Sequence, residues 1–358
     1  MKKMRVAIIG QGRSGRDIHG NFYLSEYNDL VEVVAVVDEI ESRRERAKEE
    51  FKCDVYADYR ELFKRDDIDL IVNATFSHLH YPIAKDCLEH GYNVLNEKPL
   101  ARTSYEAMEL EKIAKEKGLV VTAFHQSLYS PPITKLKEVL ATGKIGEILQ
   151  INMCYSGFSR RWDWQTLQSF CAGGVYNTAP HAIGIALDLL DWDPETRVVY
   201  SNLRCTEFNS GDANDFAKII MTAPGKPTVD IEVNNNDAFA SQPIKILGTK
   251  GTIATSQFAS DVKIKYIVPE ELEARPVVIG ALCNAEGRPA YCSEKLEFHE
   301  EVIPVDGDVW STGSHSFYSM LYDAIMLGKP LVVSTDKVGK AIEIIEAVHV
   351  QNPLPMKY

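Results

Sequence analysis

In the first third of the chain, short runs apolar on both faces alternate with amphipathic stretches. The runs are Arg5 to Ile9, Leu30 to Val37, Asp54 to Tyr56, Leu70 to Ala74, Tyr92 to Asn96 and Leu119 to Ala123. Runs this rich in β-branched residues predict strands buried on both sides, as in a parallel sheet covered by helices. The stretches between them predict helices near 14–27, 40–51, 59–64, 81–89 and 104–117. Alternation of this kind reads as an α/β, doubly wound sheet. Ser130-Pro131-Pro132 breaks the pattern, which places a boundary near residue 125 and two domains at 1–125 and 126–358. Beyond it strand-like runs become consecutive, at 147–155, 198–203, 216–222, 228–233, 244–247, 251–255 and 262–266. They predict a C-terminal α+β domain with a mostly antiparallel, open sheet, in which Gly248-Thr249-Lys250-Gly251 is a hairpin loop. Periodic helices near 316–327 and 337–348 close the chain and can pack back on the first domain.

Composition narrows the classes. Apolar residues make up 45% of the chain, yet no uninterrupted apolar stretch approaches the roughly 20 residues of a membrane-spanning helix. The basic start Met1-Lys2-Lys3-Met4 leads into too short an apolar run for a secretion signal and reads as the first strand. Seven cysteines are scattered without a C-x-x-C pair, which argues against a disulfide framework or a zinc site and suits a reducing cytoplasm. No metal is expected. A net charge of −12 offers no basic patch, so nucleic acid is not an expected partner. The mixed charges from Arg43 to Glu50 read as a solvated helix face.

Candidate chemistry begins at Gly10-Gln11-Gly12-Arg13-Ser14-Gly15, between the first strand and a helix. Gly10 permits the tight turn, Gly12 lets a pyrophosphate approach the backbone, and Gly15 lets helix and strand pack closely. Asp38, at the end of the second strand, can accept hydrogen bonds from ribose hydroxyls and would repel a 2′-phosphate. NAD is therefore the expected cofactor and NADP the lesser alternative, with Arg43 and Arg44 the residues that could serve a phosphate. Further on, Glu97-Lys98-Pro99 follows a strand, which puts a carboxylate and an ammonium at the ligand-binding edge of the sheet. There Lys98 can hydrogen-bond a substrate oxygen and stabilise an alkoxide as hydride leaves, while Glu97 orients Lys98 or the nicotinamide ribose. His181 sits near the start of the apolar helical run Ala182 to Leu190, where the helix dipole favours a neutral imidazole able to act as base. Asn177, four residues earlier, can bond substrate or fix the tautomer of His181. Ser159-Arg160-Arg161-Trp162-Asp163-Trp164-Gln165 offers indole faces for the C–H surface of a sugar ring and polar groups for its hydroxyls. A structural Trp–Arg stack is the other reading of that segment.

Together these segments resemble the Gfo/Idh/MocA oxidoreductases, named for glucose-fructose oxidoreductase and inositol dehydrogenase. The resemblance runs from the glycine turn and Asp38 through Thr75 to Ala84, Glu97-Lys98-Pro99-Leu100 and Leu140 to Gly146 to the His181 helix. It continues through Leu247 to Ile253 and the stretch from Phe317-Tyr318 to Pro330. It implies a Rossmann domain followed by a domain whose open sheet mediates a homo-oligomer, a dimer or tetramer. Lys98 and His181 would be the catalytic pair, with Thr75, His78, His80 and Gln126 lining the nicotinamide side. Many members carry aspartate where this chain has Asn177, so proton removal would rest on His181, and His125-Gln126 stands where an Asn-Arg pair is more usual. The segment around Arg160, Arg161, Trp162 and Trp164 resembles a branch for which a sugar, glycoside or cyclitol substrate is expected. The expected reaction is reversible oxidation of a secondary ring hydroxyl to a ketone. Two alternatives stand beside it: an enzyme that recycles a tightly bound NAD, and a dinucleotide-dependent sensor.

Overall fold

A computed structural model of the chain describes residues 2–284 and 286–358. Six parallel strands form the first sheet in the order β3-β2-β1-β4-β5-β6. They are β1 (Met4–Ile9), β2 (Val31–Val37), β3 (Asp54–Tyr56), β4 (Leu70–Asn73), β5 (Asn93–Asn96) and β6 (Val121–Ala123). Strands β1 and β4 pair in parallel, and between them the order reverses, which opens the crevice where a dinucleotide lies in this topology. All four residues of β4 are buried, as are five of the six in β1. Each fully buried Val, Ile or Leu contributes about 1.5–3 kcal/mol, less the entropy of ordering it.

The expected first helix is two pieces. A π-type helical segment, Arg13–Gly20, runs into the single turn α1 (Asn21–Leu24); apolar spacing over so few residues does not distinguish the wider turn from an ordinary one. Helices α2 (Glu41–Phe51), α3 (His80–Glu89) and α4 (Ser104–Lys117) follow as expected, and Thr103 caps α4 in a reciprocal box with Glu106. Tyr59–Lys64 is a 3-10 helix.

After β6, Ser130-Pro131-Pro132 begins α5 (Pro131–Ala141), a helix not expected from the sequence; proline is well placed in a helix's first turn, where its missing N–H has no partner to lose. Next come the short α6 (Gly174–Asn177) and α7 (Ala179–Leu189). The second sheet has eight strands in the order β14-β13-β12-β11-β7-β10-β9-β8. These are β7 (Ile148–Ser156), β8 (Arg197–Arg204), β9 (Phe216–Thr222), β10 (Thr228–Asn234), β11 (Ile244–Gly248), β12 (Gly251–Thr255), β13 (Asp261–Tyr266) and β14 (His299–Pro304). All pairs are antiparallel except β7 with β10. The reading missed β14, whose alternating residues are all partly or well exposed.

Helices α8 (Ser314–Leu327) and α9 (Thr335–Gln351) return to the first sheet. The Thr335 hydroxyl donates to Val121 O at 2.6 Å, the Thr122 hydroxyl to Val333 O at 2.9 Å, and Tyr322 reaches Lys2 O at 2.7 Å. Among the described residues no helix is long and apolar enough to cross a membrane.

Candidate active site

At the reversal of strand order the glycine turn behaves as a cradle. Gly10 has φ +94°, and a Cβ there would stand 2.7 Å from Ala74 O; one on Gly15 would stand 1.8 Å from Gly10 O. These two glycines let strand, turn and helix close on one another. A Cβ on Gly12 would meet nothing within 4 Å, and Gly12 is the N-cap of Arg13–Gly20 with no side chain to satisfy the first N–H groups. That open, donor-lined space suits a pyrophosphate. Asp38 is buried at the end of β2, its carboxylate accepting from Gln11 N at 2.7 Å and Ile40 N at 2.9 Å, with Arg43 at 3.4 Å. Lone pairs remain for ribose hydroxyls. The buried side-chain amide of Gln11, Nδ1 of His78 and Oε1 of Gln126 have no partner within the protein. Orphaned polar atoms along one crevice are what a dinucleotide site presents before its ligand is counted.

A second cluster of candidate side chains lies where β5 stops. Lys98 Nζ donates to the backbone carbonyl of Asn177 at 2.6 Å, which ties the Glu97-Lys98-Pro99 segment to α6 across the two domains. Burial, then the positive charges of Arg13 and Arg161, lowers the Lys98 pKa, and Glu97 opposes them. His181 opens α7 and lies with Nδ1 3.1 Å from the Ser127 hydroxyl. His181 is half-buried. Burial, then Lys98 and His125, pushes its pKa down to about 3. His125 is buried behind it and is pushed down to about 4 by burial and by Lys98. The centre therefore holds two neutral imidazoles beside the Lys98 amine, whose pKa burial lowers.

The remaining candidates separate into three groups. Thr75, His78 and Gln126 stand at the crevice; the Thr75 hydroxyl donates to Asn73 Oδ1 at 2.7 Å, and burial, then Arg102, lowers the His78 pKa. Two residues are turned inward. His80 is buried, its ring nitrogens 2.6 Å from Pro99 O and 3.3 Å from Thr75 O, so it braces the loops on either side of the crevice. Glu97 is likewise buried, with Oε2 3.2 Å from the backbone N of Lys98 and Oε1 facing His19. The third group is the rim, where Arg161 pairs with Asp163 at 2.6 Å, Arg160 lies over Phe208 at 5.6 Å, and Trp162 is 79% exposed. Asn177 belongs with the catalytic end, but its side chain donates to Gln165 O at 3.2 Å rather than to His181.

The sequence reading passed over Ser127, whose hydroxyl rather than Asn177 meets His181, and an aromatic wall. Phe76 packs against Trp164 at 5.0 Å and Phe170 at 5.5 Å, with His78 against Phe170 at 4.5 Å. Phe76 is 45% exposed after a buried strand, a signal legible only as an apolar residue in an otherwise polar turn.

Comparison with known proteins decides the family. Residues 4–125 match the family model described as "Oxidoreductase family, NAD-binding Rossmann fold". Residues 133–254 match the GFO/IDH/MocA C-terminal domain. The chain belongs to the Gfo/Idh/MocA family of NAD-binding oxidoreductases. Among curated relatives in this family, it is 24% identical over 257 residues to 2,7-anhydro-N-acetylneuraminate hydratase of Mediterraneibacter gnavus, covering 71% of this chain and 67% of that one. It is 25% identical over 189 residues to the scyllo-inositol 2-dehydrogenase (NADP(+)) IolW of Bacillus subtilis, covering 52% and 51%. The chain thus aligns with about half to two thirds of the length of these relatives. The crystal structure of GenD2 from gentamicin A biosynthesis, solved with NAD, superposes on the Gfo/Idh/MocA fold of this chain with a TM-score of 0.77. The identity is 20%, over 98% of this chain and 94% of that one.

Proposed function

We propose that the protein oxidises a secondary ring hydroxyl of a sugar, glycoside or cyclitol to a ketone with NAD, reversibly. The observation that carries this reading is the meeting of Lys98 and neutral His181 at the carboxyl edge of the sheet, beside a cradle shaped for a dinucleotide. NAD, when bound, supplies the hydride acceptor. Nδ1–H of His181 donates to the Ser127 hydroxyl, which leaves the Nε2 lone pair free to take the substrate's hydroxyl proton. The Lys98 ammonium, held by Asn177 O, stabilises the oxygen as negative charge develops on it. Asp38 favours NAD because its carboxylate would repel a 2′-phosphate. The aromatic wall and the Arg160 to Trp164 rim form a platform for the C–H face of a ring, with hydroxyl partners around it. A relative named as an inositol dehydrogenase supports a ring polyol substrate.

A second reading rests on the relative named as a hydratase, since adding water consumes no net oxidant. In it the same residues act on a substrate while NAD remains bound and returns to its starting state. Incubating the protein with NAD and a panel of sugars, glycosides and inositols separates the two. Ketone formed with an equal amount of reduced nicotinamide supports oxidation; converted substrate without net nicotinamide reduction supports recycling. No product on the panel, with dinucleotide bound, would count against both.

The proposed assembly is a homo-oligomer through the open face of the eight-stranded sheet, where Leu149, Tyr200 and Val302 are exposed.

A further inference from the structure

Four side chains outside the proposed reaction form a buried polar column behind Lys98. Oε1 of Glu97 faces Nε2 of His19 at 3.1 Å. The approach is off the hydrogen-bond line, and among the described residues neither atom has a hydrogen-bond partner, so what joins them is a close electrostatic contact. On the far side of the ring, His19 Nδ1 lies 2.7 Å from the Tyr318 hydroxyl, which in turn meets the hydroxyl of Tyr23. His19 and Tyr318 have no exposed surface, and Phe124 covers the imidazole at 4.4 Å. His19 and Tyr23 come from the helical segments after the glycine turn and Tyr318 from α8, so the column joins the nucleotide turn, the end of β5 and the C-terminal part of the chain.

Chemistry fixes the proton nearest the carboxylate. An ionised carboxylate only accepts, so the hydrogen between it and the ring belongs to His19 Nε2, while Nδ1 and the hydroxyls of Tyr318 and Tyr23 continue the line of polar contacts away from it. Apolar side chains of similar volume would knit these elements together without desolvating a charge, so packing alone does not account for the column.

We propose that His19, backed by Tyr318 and Tyr23, is a positioning residue that holds Glu97 as the charged counter-group of Lys98. The proposal rests on the reading of Lys98 as the ammonium of the reaction. Facing Glu97 are His19, His80, Lys98 and Tyr318. Facing Lys98 are Glu97, Arg13, Arg161, His125 and His181. Of the groups around Lys98 only Glu97 is an anion, and it alone works against burial and the two arginines to keep the ammonium charged. Burial would raise the Glu97 pKa; the His19 contact, with Lys98, holds it down to about 2. Without the imidazole donor, the buried carboxylate is a poorer partner and Lys98 gives up its proton at lower pH.

The test follows the Lys98 13Cε resonance against pH in the full chain labelled with 13C-lysine, the signal assigned by its loss in Lys98→Arg. His19→Leu removes the donor, His19→Gln keeps an N–H near the Nε2 position, and Tyr318→Phe removes one hydroxyl behind it. The midpoint falls by about one pH unit or more in His19→Leu, a tenfold change in the protonation equilibrium. It falls by less in Tyr318→Phe and stays near wild type in His19→Gln. An unchanged midpoint in folded His19→Leu would overturn the proposal; if that variant does not fold, an unchanged midpoint in Tyr318→Phe does so. The readout needs no substrate, so an inactive wild-type protein counts against the dehydrogenase reading, whereas unmoved midpoints count against the column.

Discussion

The floor of the candidate site and its rim are built on different principles. Lys98, His181 and Glu97 stand at the ends of buried strands and helices, each held by a backbone carbonyl, a hydroxyl or an opposite charge, with His125 buried among them. The rim from Arg160 to Trp164 stands in loop structure; Arg161 is paired only with a neighbour two positions away, and Trp162 is almost fully exposed. Groups that move protons and stabilise charge work best when their geometry is fixed before the substrate arrives. Groups that choose a ring can be mounted on a loop, where exchange of one side chain leaves the fold intact. The difference fits the proposed division, with chemistry at the floor and substrate choice at the rim.

The sharpest break in this contrast comes from His181→Ala, expected to lower kcat by about 10²–10⁴ while the dissociation constant for NAD, measured by calorimetry, stays near wild type. The pH dependence follows with a definite sign. The pKa of His181 is depressed, so it stays neutral and gives no acid limb in kcat/KM between about pH 5 and 8; a limb near pH 6.5 that disappears in His181→Ala would contradict a neutral floor. Stability follows the same linkage. The unfolded chain binds protons at His181 and His125 near the ordinary histidine value, the folded chain only near 3 and 4. Their contribution is present above about pH 6.5 and is lost as pH falls, so Tm should decline over that range more steeply in wild type than in His181→Ala. Smaller again is Trp162→Ala, expected to raise KM by up to about tenfold with kcat nearly unchanged. A fall in kcat with KM intact would move the rim into the chemistry.

Much of the floor was legible in the sequence because its signals are local. A glycine turn after a strand, an acidic residue closing the next strand and Glu97-Lys98-Pro99 at a strand end each declare their place in a doubly wound sheet. What the sequence did not show are partners brought from far along the chain. His19 meets Tyr318, 299 residues away, and Ser127 meets His181 across 54; no periodicity encodes either. His80 shows another such contact, since a histidine in a crevice motif invites a ligand role and the sequence does not show that its ring nitrogens lie on the carbonyls of Pro99 and Thr75. Helix α5 went unread, although proline, which ends helices, also begins them.

The most direct test of the floor is Lys98→Ala, with kcat on an identified ring substrate and NAD affinity measured on the same preparation. The account predicts a kcat lower by about 10²–10³, with NAD affinity changed less than about threefold, because Lys98 meets the reacting oxygen and the glycine turn holds the dinucleotide. Turnover near wild type in that variant would contradict it.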